Sequence, residues 1–156
     1  MLNHVNTDIA VDVFEVLSEL TDPEVLSEVP EAEAFVKAIF ETELCQMTVD
    51  VLGRLDEAQS EEDFKAVTNG LSMLENLAEL VPMEMCRRFL EVQSFLPYLI
   101  KRLRAQGMDY NKVYASEILG IVLQNSELAR KETPGRVIED RHPHIYIYIY
   151  IYHIHN

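Results

Sequence analysis

Few side chains in this sequence can do chemistry, and most of them are poorly placed for it. Four of the five histidines, His142, His144, His153 and His155, fall close to the C-terminal end. In an extended strand each His-x-His pair would share one face, which is how a metal could be held. Nothing upstream adds ligands at a recognisable spacing, so neither a metal nor a cofactor is expected. His4 precedes the first predicted helix, so the helical part has no base for a Ser-His-Asp or Cys-His pair. The two thiols, Cys45 and Cys86, are expected to be buried and reduced rather than bridged. Gly53, Gly70, Gly107, Gly120 and Gly135 form no G-x-G and no glycine-rich loop ahead of a lysine, so no phosphate cradle is present. Gly53, Gly70 and Gly120 sit inside helical patterns and read as points of close helix packing. The pairs Glu15/Glu19 and Glu75/Glu79 have i,i+4 spacing, but acid–base work needs one member partly buried. Their place on polar faces predicts solvated acids. No catalytic residue is expected.

What remains is binding chemistry. Arg87, Arg88, Lys101, Arg102 and Arg104 form the main basic cluster. On a helix over 94–105, Lys101 and Arg104, with Arg102 beside them, flank an apolar stripe. They are placed either to meet acidic groups or to balance the negative C-terminal end of the helix. Asn69 and Asn76 lie seven residues apart on a long helix over 60–80, on roughly one face, with Glu75 and Glu79 nearby.

Charge is unevenly spread over the chain. Residues 1–80 hold 19 acids against Lys37, Arg54 and Lys65, a balance of −16, whereas 81–135 balance at +2. The first half would repel phosphate, which argues against direct nucleic-acid binding there. It suits a basic partner, or it simply keeps helix faces solvated. Apolar residues make up 48% of the 156, enough for a core, and no run is long enough for a transmembrane helix.

The elements that carry these residues follow from apolar periodicity. Ile9, Val13, Val16, Leu17 and Leu20 predict a helix over 8–21 with Thr7 as its cap. Short helices follow from Pro23 to about Val29 and from Pro30 through Phe40, and another runs over 43–55. Ser60 followed by three acids marks the start of a long helix that Pro82 ends. Helices over 83–91, 94–105 and 110–125 come next, with Gly107 as a stop between the last two. No strand is expected between Asp8 and Lys131.

The pattern recurs. Val51-Leu52-Gly53-Arg54-Leu55 matches Leu99-Ile100-Lys101-Arg102-Leu103 at an offset of 48, and Leu74/Leu77 match Ile118/Ile121 at 44. A repeat of two or three helices over ~40–47 residues is the armadillo/HEAT signature. A compact bundle with coincidental spacing is the competing reading. The class is all-α in both cases, and the armadillo-like solenoid is the expected architecture.

Several stretches resemble one family, β-catenin-like protein 1: NTDIAVDVFEVLSELTD at 6–22, LGRLDEAQSEED at 52–63, LSMLENLAEL at 71–80, PMEMC at 82–86, LIKRLRA at 99–105 and NKVYASEILGIVLQNSE at 111–127. They occur in order over about 6–131. The resemblance implies an armadillo-like superhelix without enzymatic activity. It implies a nuclear protein associated with the nineteen complex of the spliceosome, binding the basic, localisation-like peptides of splicing factors and of an antibody-diversifying cytidine deaminase. It also implies that the long helix carrying Asn69 and Asn76 lines a groove where asparagines hold an extended peptide backbone. An unrelated armadillo/HEAT adaptor, or a truncated product without function, are the other readings.

We expect residues 1–133 to form a partial armadillo-like domain and 134–156 a separate Ile/Tyr/His tail, disordered or strand-like. Ile and Tyr alternate strictly from Ile145 to Tyr152, as a translated AT dinucleotide repeat would. Such an uncharged β-branched and aromatic run is an aggregation liability. The apolar face of Ile118, Ile121 and Val122 is expected to need cover, with self-association as one outcome.

Overall fold

The computed structural model describes residues 7–106 and 109–132, with side chains described for 8–106 and 109–125. His4, Gly107, Gly135, the C-terminal histidines and the Ile/Tyr run lie outside these, as does the whole 134–156 tail. The described residues form helices and connecting turns, with no strand among them. The helices are α1 (Thr7–Leu20), α2 (Pro23–Ser27), α3 (Ala32–Glu41), α4 (Leu44–Leu52), α5 (Glu61–Leu80), α6 (Pro82–Glu91), α7 (Phe95–Leu103) and α8 (Tyr110–Glu132).

Local chemistry sets most of the helix starts. The Ser60 hydroxyl accepts from the Asp63 amide at 3.0 Å, and Glu61, Glu62 and Asp63 occupy the positive first turn of α5. Asp63 also accepts from the Asp56 amide at 2.8 Å, which folds the preceding loop onto the helix end. Asp22 caps α2 by accepting from the Glu24 amide at 2.8 Å. Asp109 does the same for α8, accepting from the Lys112 amide at 3.1 Å. Helix α1 begins at Thr7 itself rather than after it.

The repeat is plain in the element lengths. Helices α3, α4 and α5 have 10, 9 and 20 residues, and α6, α7 and α8 have 10, 9 and 23. Corresponding helices begin 50, 51 and 49 residues apart. The spacing is therefore longer than the 48 and 44 read from the sequence, by about one helical turn. Burial fixes the true register. At an offset of 48, buried Val67, Gly70, Leu71 and Leu74 of α5 correspond to buried Ala115, Ile118, Leu119 and Val122 of α8. At an offset of 51, buried Thr48 and Val51 correspond to Leu99 and Arg102, and exposed Asp50 to exposed Lys101. Apolar residues recur every three to four positions on an amphipathic helix, so a slip of one turn matches nearly as well in sequence.

Helices α1, α5 and α8 pack side by side as a ladder, with α5 in the middle. The shorter helices sit behind it: α6 and α7 pack on α8, α4 on α5, and α4 touches α7. Phe14, Leu52, Leu71, Leu74, Leu77, Phe95, Leu99 and Ile118 are fully buried in one continuous core. The Phe89 and Phe95 rings meet across the α6–α7 turn, with centroids 5.1 Å apart.

Of the three glycines expected at close packing, only Gly70 is there. A Cβ at Gly70 would lie 2.9 Å from Leu52 Cδ2 and 3.4 Å from the Phe14 ring, so α1, α4 and α5 meet at this point. Gly53 is the exposed C-cap of α4, and a Cβ at Gly120 would meet nothing within 4 Å. Gly120→Ala should therefore raise stability by about 0.5–1 kcal/mol through helix propensity alone. Gly70→Ala should lose that gain to overpacking and melt below the wild type. Thermal denaturation of the two variants side by side checks this; equal shifts would refute the packing argument.

Candidate functional site

The exposed stripe of the ladder is the surface an armadillo stack offers to partners. On α5 it carries Thr68, Ser72, Glu75 and Glu79, and on α8 Ser116, Glu117 and Gln124. Glu75 is the electrostatic centre. Its carboxyl is pushed up to about 7, first by partial burial, then by the negative charges of Glu79 and Glu117, with a hydrogen bond to Glu79 adding to the shift. The sequence reading of Glu75/Glu79 as plainly solvated acids is therefore corrected: α8 packs close enough to desolvate Glu75 and brings a third carboxylate beside it. Glu15, the other acid considered, pairs across the ladder with Lys65 at 2.6 Å on the exposed surface.

The two asparagines have different environments. Asn76 is buried, and its amide donates to the Ser18 carbonyl at 3.2 Å and to the Thr21 hydroxyl at 3.4 Å. It ties the end of α1 to α5 and does not project from the surface. Asn69, two turns earlier, is half-buried, and its Nδ2 is unpartnered and shut off from solvent, so the amide nitrogen is not offered to a partner. The seven-residue spacing placed both asparagines on one side of α5, but α1 covers the second.

The basic cluster divides in the same way. Arg87 and Arg88 serve α6 and its neighbour. Arg87 pairs with Glu84 at 2.8 Å, and Arg88 pairs with Glu84 and Glu91 and donates to the Phe40 carbonyl at the end of α3, where helical carbonyls lack partners. Arg102 is turned inward and bridges Glu57 at 3.1 Å and Asp109 at 2.6 Å. The acids it meets belong to its own chain. Lys101 and Arg104 remain on the surface and make no ion pair among the described residues. With Leu96, Pro97, Ile100 and Ala105 they line a cavity of about 710 Å³ along α7.

The composition showed neither Glu117 nor the Glu57–Arg102–Asp109 bridge as a unit. Glu117 is 38 residues or more from its acidic neighbours in the chain, and only the α5–α8 packing unites them. One signal was available for the bridge: an arginine on the apolar stripe of α7 needs a buried partner.

Both cysteines are buried and free. Burial pushes the Cys45 thiol up to about 11 and raises Cys86, whose thiol donates to the Val122 carbonyl at 3.4 Å. Neither is a nucleophile near neutral pH. No group of three or more potential metal ligands forms among the described residues, and no helix there is long and apolar enough to cross a membrane.

A repeated short–short–long helix triplet with the long helices stacked as a ladder is an armadillo arrangement. A family model described as "Catenin-beta-like, Arm-motif containing nuclear" matches residues 1–137. The chain belongs to this catenin-beta-like family. Beta-catenin-like protein 1 from mouse and from human is 41% identical over 133 residues, covering 84% of this chain and 23% of each relative. The fission yeast homologue is 33% identical over the same length. The chain thus spans about a quarter of the length of these catenin-beta-like relatives. The family description names Arm motifs and a nuclear character, and neither it nor the relatives' names assign a catalytic activity.

Proposed function

We propose that this chain is a non-enzymatic interaction scaffold whose α5–α8 face takes a basic, localisation-like peptide of a nuclear partner. The observation that supports this reading is the trio Glu75, Glu79 and Glu117. Three carboxylates from adjacent helices gather on one face, and partial burial, followed by the charges of the other two, raises the pKa of Glu75. A lysine or arginine side chain would favour all three in their ionised form. The family resemblance supplies the biological setting: the nucleus, with splicing-factor proteins of the nineteen complex as the partners. No direct nucleic-acid contact and no membrane role are part of the proposal.

Two measurements test it. A fluorescently labelled dibasic peptide titrated against the full chain should bind saturably and weaken with salt. Equal binding of an acidic peptide of the same length would sink the reading. In a pull-down from nuclear extract, nineteen-complex proteins should be recovered with the chain as bait. Their absence, with the peptide still binding, would remove the spliceosomal setting and leave a general basic-peptide adaptor.

A further inference from the structure

The two ends of the packed stack carry apolar surfaces of opposite charge character. Helix α1 makes its main contacts with α5, and α7 makes its own with α8, so their outer sides lie at opposite ends. On α1, Val16 and Leu20 lie on the side away from the buried Phe14 and are 54% and 46% exposed. Asp12 and Glu19 flank them, and the adjoining segment adds exposed Val25 on α2 and Val29 just after it, next in sequence to Glu24 and Glu28. On α7, Leu96 and Ile100 floor an open groove whose rim is Lys101 and Arg104, with no acid among the described residues that line it. Tyr98 and Arg102 face Glu57, in the loop that follows α4, and lie about 200° around α7 from Leu96 and Ile100, so the groove is on the other side of the helix.

We propose that the α7 groove docks the α1–α2 face of a second copy of this chain, joining molecules head to tail. Charge complementarity selects this occupant. The chain is strongly acidic overall, yet the groove presents two unpaired cations around an apolar floor. The α1–α2 face presents the inverse, an apolar centre within a rim of carboxylates. Two copies of the groove would repel each other, so a symmetric groove-to-groove dimer is disfavoured. Because the two surfaces differ, the contact is heterologous and does not close, so assembly grows with concentration instead of stopping at a dimer.

Sedimentation velocity on the full chain tests this. The wild type should show a mass that rises with concentration and falls back toward the monomer between ~50 mM and ~0.5 M salt, as the charged rims are screened. Leu20→Asp removes one surface and Ile100→Asp the other, and each variant alone should be monomeric. Mixed in equal amounts they should form a one-to-one complex and nothing larger, since each retains the surface the other lacks. The double reversal Lys101→Glu/Arg104→Glu repeats the second arm with exposed residues, should the Ile100 substitution disturb folding. A wild type that stays monomeric at ~1 mM, association that survives both single substitutions, or a mixture that fails to associate would each overturn the proposal.

Discussion

Arg102→Met should destabilise the fold by about 3 kcal/mol and lower its melting temperature by roughly 10 °C. The guanidinium is 7% exposed and joins two loops. Glu57 lies between α4 and α5, and Asp109 between α7 and α8. Glu57 also accepts from the Asn111 amide at 2.8 Å, and Asp109 caps α8 with its second oxygen. One arginine thus holds the same turn in both repeats. Its removal leaves two carboxylates facing each other with no cation between them, and that residual repulsion dominates the loss. Arg102→Lys should fall between the two, because an ammonium keeps the charge but sits on a shorter arm and is more strongly hydrated than the guanidinium whose Nη2 meets both acids. Adding Asp109→Asn to Arg102→Met should recover part of the loss by removing one of the stranded charges. A melting temperature for Arg102→Met within ~2 °C of the wild type would show that the bridge contributes nothing.

Much of this architecture could be read from periodicity and caps. Ser60 and the three acids after it placed the start of α5, and Pro82 placed its end, because capping and the missing proline N–H act locally. The repeat was visible too, but its register was not. Sliding α5 against α8 by one turn still superposes leucines on isoleucines, and only burial distinguishes the two registers. The binding face was legible in part. Glu75 and Glu79 were evident as a helical pair, whereas the effect of Glu117 on them depends on a helix contact that no local pattern encodes. Asn76 illustrates the opposite limit. Its position suggested a peptide contact, yet α1 lies over it, and an asparagine beside a neighbouring helix end satisfies that helix's carbonyls. Lys101 and Arg102 are adjacent in sequence yet one is exposed and the other buried, a consequence of the ~100° turn per residue on a helix.

Glu75→Gln should make the protein more stable above neutral pH and at the same time weaken its hold on a basic peptide. The stability part follows from the sign of the shift. A carboxyl whose pKa is raised to about 7 in the fold, from about 4.3 unfolded, binds its proton more tightly when folded. Stability is therefore unaffected by Glu75 below pH ~4, declines as pH rises from there through 7, and carries the full penalty above that. The glutamine cannot ionise, so the variant should match the wild type in acid and exceed it at pH 8. Binding runs the other way. A bound lysine or arginine favours the ionised carboxylate, so peptide affinity of the wild type should rise about tenfold between pH 6 and pH 8 as Glu75 loses its proton. Glu75→Gln should flatten that rise and bind several-fold more weakly at pH 8, and Glu75→Lys/Glu79→Lys should lose binding by about a hundredfold. Asn76→Ala is the control, since it should lower stability by about 1 kcal/mol through its lost bonds to α1 without moving peptide affinity. A group that costs stability and supports binding is held in place by its function, whereas one that only stabilises α1 is not. Should Glu75→Gln raise stability at pH 8 and leave affinity and its pH dependence unchanged, the acidic trio would be strain in the repeat stack and the peptide site would lie elsewhere.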